Sequence, residues 1–149
     1  IQDMSSAVSV FILVSLVAVS GFHLVWALGI TYPAADQKSL ARTVTGFRGR
    51  DNMPPRATSA FVALAALICA LWPYVMTGKL FTGFPAWLIT LGGFTLTLIF
   101  GARGIAGFTA WWRALTPEQP FARFDRAYYS PLCLALGLSF FILTIGRLS

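Results

Sequence analysis

Few polar side chains in this chain could do chemistry, and four of them lie within or beside long apolar runs. These residues are His23, Arg103, Asp125 and Tyr129. A polar or ionisable group at membrane depth is costly, so each is a candidate for a functional or structural role. His23 lies about 13 Å along a helix from Tyr32, where we place the membrane boundary. We predict that the four residues form one polar cluster beneath the cytoplasmic surface.

Two interpretations of His23 are open. It either faces the bundle and is hydrogen-bonded to a hydroxyl or carbonyl of a neighbouring helix, or it is a proton carrier or ligand. Trp26 follows one turn later on the same helical face. Haem and zinc sites need several converging ligands, and His23 is the only histidine in the sequence. We therefore predict no metal site and no cofactor.

Arg103 also has two interpretations. It ends or interrupts an apolar run about 27 Å of helix beyond Pro85, so its side chain can extend to the headgroups of the cytoplasmic leaflet. Alternatively it pairs with Asp125, which precedes the last apolar run on the same side. Such a pair would hold a loop against a helix and is not evidence of catalysis. We assign no catalytic residue, and we favour a non-enzymatic protein.

Composition indicates the elements that position these residues. The chain has 149 residues, of which 57% are hydrophobic and 11% charged, against about 25% charged in soluble domains. Four apolar runs are long enough to cross a membrane as helices. We predict an all-α integral membrane four-helix bundle, one transmembrane domain over residues 1–149, with spans at 7–30, 57–76, 84–102 and 127–146.

The ends of the spans carry further expectations. The first run is preceded by Asp3 rather than by basic residues, so we interpret it as a membrane span and not as a signal peptide. The third run can continue through the uncharged segment Gly104–Trp112. Ser130-Pro131 resembles an N-cap followed by proline at the first helical position, in which case the fourth helix starts at Pro131.

Lys and Arg residues set the expected orientation. Nine of them lie in the loops at 31–56 and 103–126, and two, Lys79 and Arg147, lie on the other side. The positive-inside rule then places both loops in the cytoplasm and both termini outside. Because the basic residues are spread through short loops, we interpret the net charge of +6 as a topology signal and predict no nucleic-acid partner.

Small residues predict a close helix contact. Gly93, Thr97 and Gly101 recur at four-residue spacing, which gives the third helix a face that another backbone can approach closely. Cys69 and Cys133 both lie in apolar runs, where we expect them to behave as small hydrophobic residues.

Several segments resemble the DUF3995 family of small bacterial membrane proteins. They are His23-Leu-Val-Trp26-Ala-Leu-Gly29, Arg103-Gly104-Ile105, Pro120-Phe-Ala-Arg-Phe-Asp125 and Tyr129-Ser130-Pro131-Leu132-Cys133. The resemblance implies a bacterial multi-span protein of the cytoplasmic membrane, but it assigns no activity because the family is of unknown function. It draws attention to His23, Trp26, Arg103, Asp125, Tyr129 and Ser130. We find no family pattern in the loop Ala34–Met53.

Two classes of function follow. We favour a non-enzymatic structural or accessory subunit that contacts membrane lipids and packs against another membrane protein or a second copy of itself. The alternative is a membrane-embedded enzyme or a binder of lipophilic small molecules, with a cytoplasm-facing pocket around His23, Arg103 and Asp125. The reason for the preference is that the spans contain no converging set of titratable groups.

Overall fold

A computed structural model describes residues 2–81 and 83–148, and this part of the chain is helical without strands. The helices are α1 (Gln2–Ala27), α2 (Gln37–Val44), α3 (Arg56–Met76), α4 (Ala86–Ala106), α5 (Ala110–Leu115), α6 (Phe121–Phe124) and α7 (Ser130–Leu148), with a π-helical turn at Asp125–Tyr129 between the last two. In the described part of the chain, four helical stretches are long and apolar enough to span a membrane, namely Met4–Ala27, α3, α4 and Phe121–Leu148. The predicted all-α, four-span architecture is confirmed.

The first and third spans end at residues other than those predicted. α1 ends at Ala27 because the chain turns at Gly29, whose φ of +87° favours glycine. The Arg56 guanidinium lies where a side chain at this position would project. α4 extends to Ala106, and the segment after it forms the separate helix α5 rather than a continuation. Thr109 caps α5 by accepting a hydrogen bond from the Trp112 N–H at 3.2 Å.

The interpretation of Ser130-Pro131 as the start of the fourth helix is wrong. Helical structure begins at Phe121 and runs through Ser130, whose backbone is helical. The Ser130 N–H donates to the carbonyl of Asp125, five residues earlier, as in a π-helix. Pro131 lacks an N–H and would disturb a regular α-helix at this point. The wider turn just before Pro131 lets the helix continue.

The four long helices pack as two hairpins. α1 packs mainly on α3, and α4 packs mainly on α7. Side chains from both hairpins form the core, which lies in the half of the bundle nearest the chain termini and includes Ile12, Leu16, Ala70, Leu136 and Phe140. Large apolar side chains such as Leu64 and Leu98 are exposed on the outside of the bundle, as expected of surfaces that face lipid.

The two longer loops pack together at the opposite end of the bundle, and we call this assembly the cap. α2 contacts α6, and Leu40 and Ala41 of α2 are fully buried. The Phe121 ring lies against Gly46, where the positive φ and the missing Cβ make the contact feasible. The Glu118 N–H donates to the Gly46 carbonyl at 3.1 Å. The loop Ala34–Met53, in which we recognised no family pattern, is therefore an ordered part of the fold.

Candidate functional site

Four side chains at the cap end form a hydrogen-bonded group that we call the polar cluster: Arg103, Trp112, Asp125 and Ser130. Asp125 is 3% exposed, and its carboxylate accepts from Arg103 Nη2 at 2.6 Å, Ser130 Oγ at 3.1 Å and Trp112 Nε1 at 3.0 Å. Arg103 Nη1 also donates to Ser130 Oγ at 3.3 Å. Both carboxylate oxygens of Asp125 are therefore satisfied by donors from three different elements.

Local sequence explains why the polar cluster can form. The π-turn places Asp125 and Ser130 on one side of the last helical stretch, because the turn closes between these two residues. A Cβ atom at Gly107 would overlap Ser130 Oγ and approach Asp125 Oδ2. Glycine at this position therefore lets the end of α4 come close enough to α7 for the contact.

The polar cluster is electrically balanced. The Arg103 side chain is 30% exposed and the Asp125 side chain 4%, and the guanidinium also lies 4.7 Å from the centre of the Trp112 ring. Such a stacked cation is stabilised by the aromatic ring as well as by the carboxylate. The positive and negative charges match, so this arrangement can tie α4, α5 and α7 together without leaving a net charge.

His23 and Tyr129 do not join this group directly. His23 Nδ1 lies 2.9 Å from the Val19 carbonyl, one turn earlier on α1, and its ring is 4.7 Å from that of Trp26. The Trp26 indole N–H donates to the Tyr32 carbonyl at 2.9 Å. The Tyr129 hydroxyl donates to the carbonyl of Thr43 in the cap at 3.3 Å. The predicted residues thus divide into the Arg103–Asp125–Ser130 group and three side chains with other partners, which are His23, Trp26 and Tyr129.

One cavity is lined both by Arg103 of the polar cluster and by His23 and Tyr129. Its volume is about 610 Å³, and it lies between the hairpins at the cap end, next to the core. Its walls come from α1, α3, the cap, the end of α4 and the start of α7, and most of the lining is apolar. The polar side chains in its wall include His23, Arg103, Tyr129 and Cys133. Arg103 therefore belongs both to the polar cluster and to the cavity wall.

The cap itself is held by charged contacts. Asp51 pairs with Lys38 at 3.0 Å and with Arg42 at 3.7 Å, all three side chains being about half exposed. The Ser39 N–H donates to the Asp36 carboxylate at 2.7 Å and lowers the pKa of this carboxyl group. This contact caps the N-terminus of α2. The helix that closes one wall of the cavity is thus fixed at its first turn.

The small-residue face of α4 contacts α7 and, at Gly93, the Met76 side chain of the core. Gly93 is buried against Thr144, and the Thr97 hydroxyl donates to the Gly93 carbonyl at 2.9 Å. A Cβ atom at Gly137 would lie 2.8 Å from the Gly101 nitrogen, whereas a Cβ atom at Gly101 would meet nothing within 4 Å. The Gly101 backbone thus lies against Gly137 of α7, and Gly137 has no room for a side chain there. Gly104 on α4 has none either, because a Cβ atom at this position would lie 2.8 Å from the Leu134 nitrogen.

Sequence reasoning missed three residues of the site. Trp112 was not singled out as a site residue, although it stands four residues before Thr116 and five before Pro117, in a stretch that has to fold back onto the helices. Gly107 and Thr43 gave no signal, because their roles depend on which backbone passes nearby.

Within the described residues, no group of three or more His, Cys, Asp or Glu side chains is placed to bind a metal ion.

Comparison with known proteins identifies the family. Residues 16–140 match the family described as "Protein of unknown function (DUF3995)". The chain belongs to this family. The match includes every residue of the polar cluster as well as His23, Trp26 and Tyr129. Searches of curated proteins and of solved structures gave no match.

Proposed function

We propose that this DUF3995 protein is a non-enzymatic membrane bundle that binds a neutral, lipophilic small molecule in the cavity between its hairpins. The observation that carries the proposal is the cavity itself. Its volume of about 610 Å³ falls within the range of about 300–1,000 Å³ that small-molecule sites occupy. Such sites are mostly apolar with a few polar groups that orient the ligand, and this lining has the same character.

Charge balance favours a neutral ligand. Among the residues that the structure describes, Arg103 is the only Lys, Arg, Asp or Glu side chain in the cavity lining, and Asp125 already neutralises it. An anionic lipid headgroup would meet a guanidinium whose charge the Asp125 carboxylate already balances, so it would gain little attraction there. A molecule with an apolar body and an uncharged polar end fits the wall without such competition.

In this proposal the polar cluster has a structural role and does not bind the ligand's apolar body. It ties α4, α5 and α7 together beside the cavity, and its donors and acceptors are directed mainly at one another. We infer that it holds the cavity wall in place, which agrees with the non-enzymatic role favoured by the sequence. Membrane lipids would surround the bundle and supply a route for a lipophilic molecule to enter.

We also propose that the protein lies in the bacterial cytoplasmic membrane with the cap in the cytoplasm and both termini outside. The support is the distribution of Lys and Arg residues, of which nine lie in the loops at the cap end and two at the other end. The cavity would then open toward the cytoplasmic leaflet.

Two matched substitutions on α3 test the binding proposal. Val62 lines the cavity, whereas Leu64 is 59% exposed on the outside of the bundle. The protein is purified in nanodiscs from its own membranes, and small molecules that copurify are identified by mass spectrometry. We expect wild type and Leu64→Trp to retain a lipophilic compound and Val62→Trp to lose it. Equal retention by all three proteins, or no compound above the level of empty nanodiscs, would count against the proposal.

A further inference from the structure

We infer that the ligand carries a hydroxyl group on an aromatic ring and that this hydroxyl donates a hydrogen bond to His23 Nε2. The inference rests on the proposed function and names the chemical class of the ligand. It places His23 as the residue that selects for a phenol-type head.

The tautomer of His23 follows from its contact with the backbone. A carbonyl oxygen can only accept, so the nitrogen 2.9 Å from the Val19 carbonyl, Nδ1, carries a hydrogen. In the neutral ring the other nitrogen then holds a lone pair and can only accept. Among the described residues Nε2 has no hydrogen-bond partner, and it is not one of the fully enclosed polar atoms. An accessible acceptor therefore stands in a residue that lines the cavity.

Two nearby donors in the cavity wall are used by backbone carbonyls and not by this acceptor. The Trp26 indole N–H, next to the His23 ring, is used by the Tyr32 carbonyl. The Tyr129 hydroxyl hydrogen is used by the Thr43 carbonyl. Arg103 has five N–H donors, and the bonds to Asp125 and Ser130 leave some of them for a ligand oxygen. A ligand oxygen that donates to His23 carries a hydrogen, and a hydroxyl oxygen can in addition accept from Arg103.

The walls favour a flat ring next to that hydroxyl. Phe22, Trp26, Phe121 and Tyr129 all line the cavity. Aromatic side chains pack well against other rings in stacked or edge-to-face arrangements. An alkyl tail on the same molecule would fill the apolar remainder of the cavity or extend into lipid.

A matched ligand pair tests the inference. 4-Octylphenol can donate and accept, whereas 4-octylanisole keeps the ring, the tail and the oxygen but has no hydrogen to donate. Binding is measured in nanodiscs as ligand retained above empty nanodiscs, at equal mole fractions of ligand in the lipid. We expect wild type to bind the phenol about tenfold more tightly than the anisole, which corresponds to the loss of one hydrogen bond.

Variants separate this inference from the proposed function. His23→Phe removes the acceptor and keeps a ring, so it should bind the two ligands equally. If wild type binds both equally, or if His23→Phe keeps the preference for the phenol, the assignment of His23 is wrong while cavity binding stands. If Val62→Trp binds both ligands as well as wild type does, the cavity is not the site and the proposed function fails as well.

A spectroscopic measurement on the wild-type protein covers the case in which His23→Phe does not fold. Because His23 is the only histidine, selective ¹⁵N labelling gives a single pair of ring signals. The Nε2 signal should move upfield when 4-octylphenol is added and stay in place with 4-octylanisole. A signal that does not respond to the phenol, or that responds equally to both compounds, contradicts the hydrogen bond.

Discussion

Removing the Asp125 carboxylate is the most informative perturbation of the polar cluster. Asp125→Ala leaves the Arg103 guanidinium without its counter-charge and the Trp112 indole N–H without an acceptor. Breaking a buried ion pair by removing one partner costs about 3–5 kcal/mol. Arg103 is 30% exposed, so water can partly replace the carboxylate. We therefore expect a loss of about 3 kcal/mol in the free energy of unfolding.

Three further variants give this prediction its controls. Asp125→Asn keeps the shape of the side chain but removes its charge, and its NH2 group would face a donor where the carboxylate had an accepting oxygen. It should therefore cost about as much as Asp125→Ala, about 3 kcal/mol. Arg103→Met with Asp125→Leu removes both charges and should recover much of the loss. Asp51→Ala breaks exposed ion pairs in the cap, for which we expect about 0–1 kcal/mol.

Unfolding in mixed micelles with increasing fractions of sodium dodecyl sulfate, followed by tryptophan fluorescence, measures these changes. The reasoning is refuted if Asp125→Ala costs no more than Asp51→Ala. It is also refuted if the double substitution is as unstable as Asp125→Ala, because the cost would then not arise from an unpaired charge.

Three other predictions follow from the packing and the charge distribution. Gly137→Ala should destabilise the bundle by about 1–3 kcal/mol because its Cβ would meet the Gly101 backbone. Gly101→Ala should be neutral or slightly stabilising. Equal effects of the two substitutions in the same unfolding assay would contradict the contact. Gly107→Ala should also lower the free energy of unfolding by about 1–3 kcal/mol, because its Cβ would overlap Ser130 Oγ. An unchanged stability would show that the polar cluster can accommodate a methyl group at this position. In a protein whose native cysteines are replaced by serine, Ala122→Cys should react with a membrane-impermeant maleimide only after cell lysis and Lys79→Cys before it; the reverse pattern would invert the proposed orientation.

The sequence predicts the helices of this fold better than their contacts. Long apolar runs show where the four spans lie, because a membrane span needs about 20 apolar residues whatever it packs against. The pairing of Arg103 with Asp125 could be expected because opposite charges at one membrane level are costly when separate. The length of the last helix could not, since Ser130-Pro131 has the composition of a helix start and only the π-turn before it shows otherwise.

The sequence could not predict residues whose role depends on contact with a backbone segment that is distant along the chain. Gly104 and Gly137 lie outside the four-residue spacing that identified Gly93, Thr97 and Gly101, yet neither has room for a side chain in the contact between α4 and α7. The loop Ala34–Met53 is polar and has little helical periodicity, so its sequence does not predict that it packs as part of the cap. That packing depends on contacts with α6, including the Phe121 ring. The cavity has the same origin, because it is the space left where the two hairpins do not fill the cap end.

An experimental density map of the protein purified with its native lipids tests the central claim most directly. A crystal structure would show the space between the hairpins at the cap end, where His23, Tyr129 and Cys133 line the wall. We predict non-protein density there, with an elongated apolar part and one polar atom within hydrogen-bond distance of His23 Nε2. A structure in which α1 and α7 close against each other and their side chains fill this space would contradict the account.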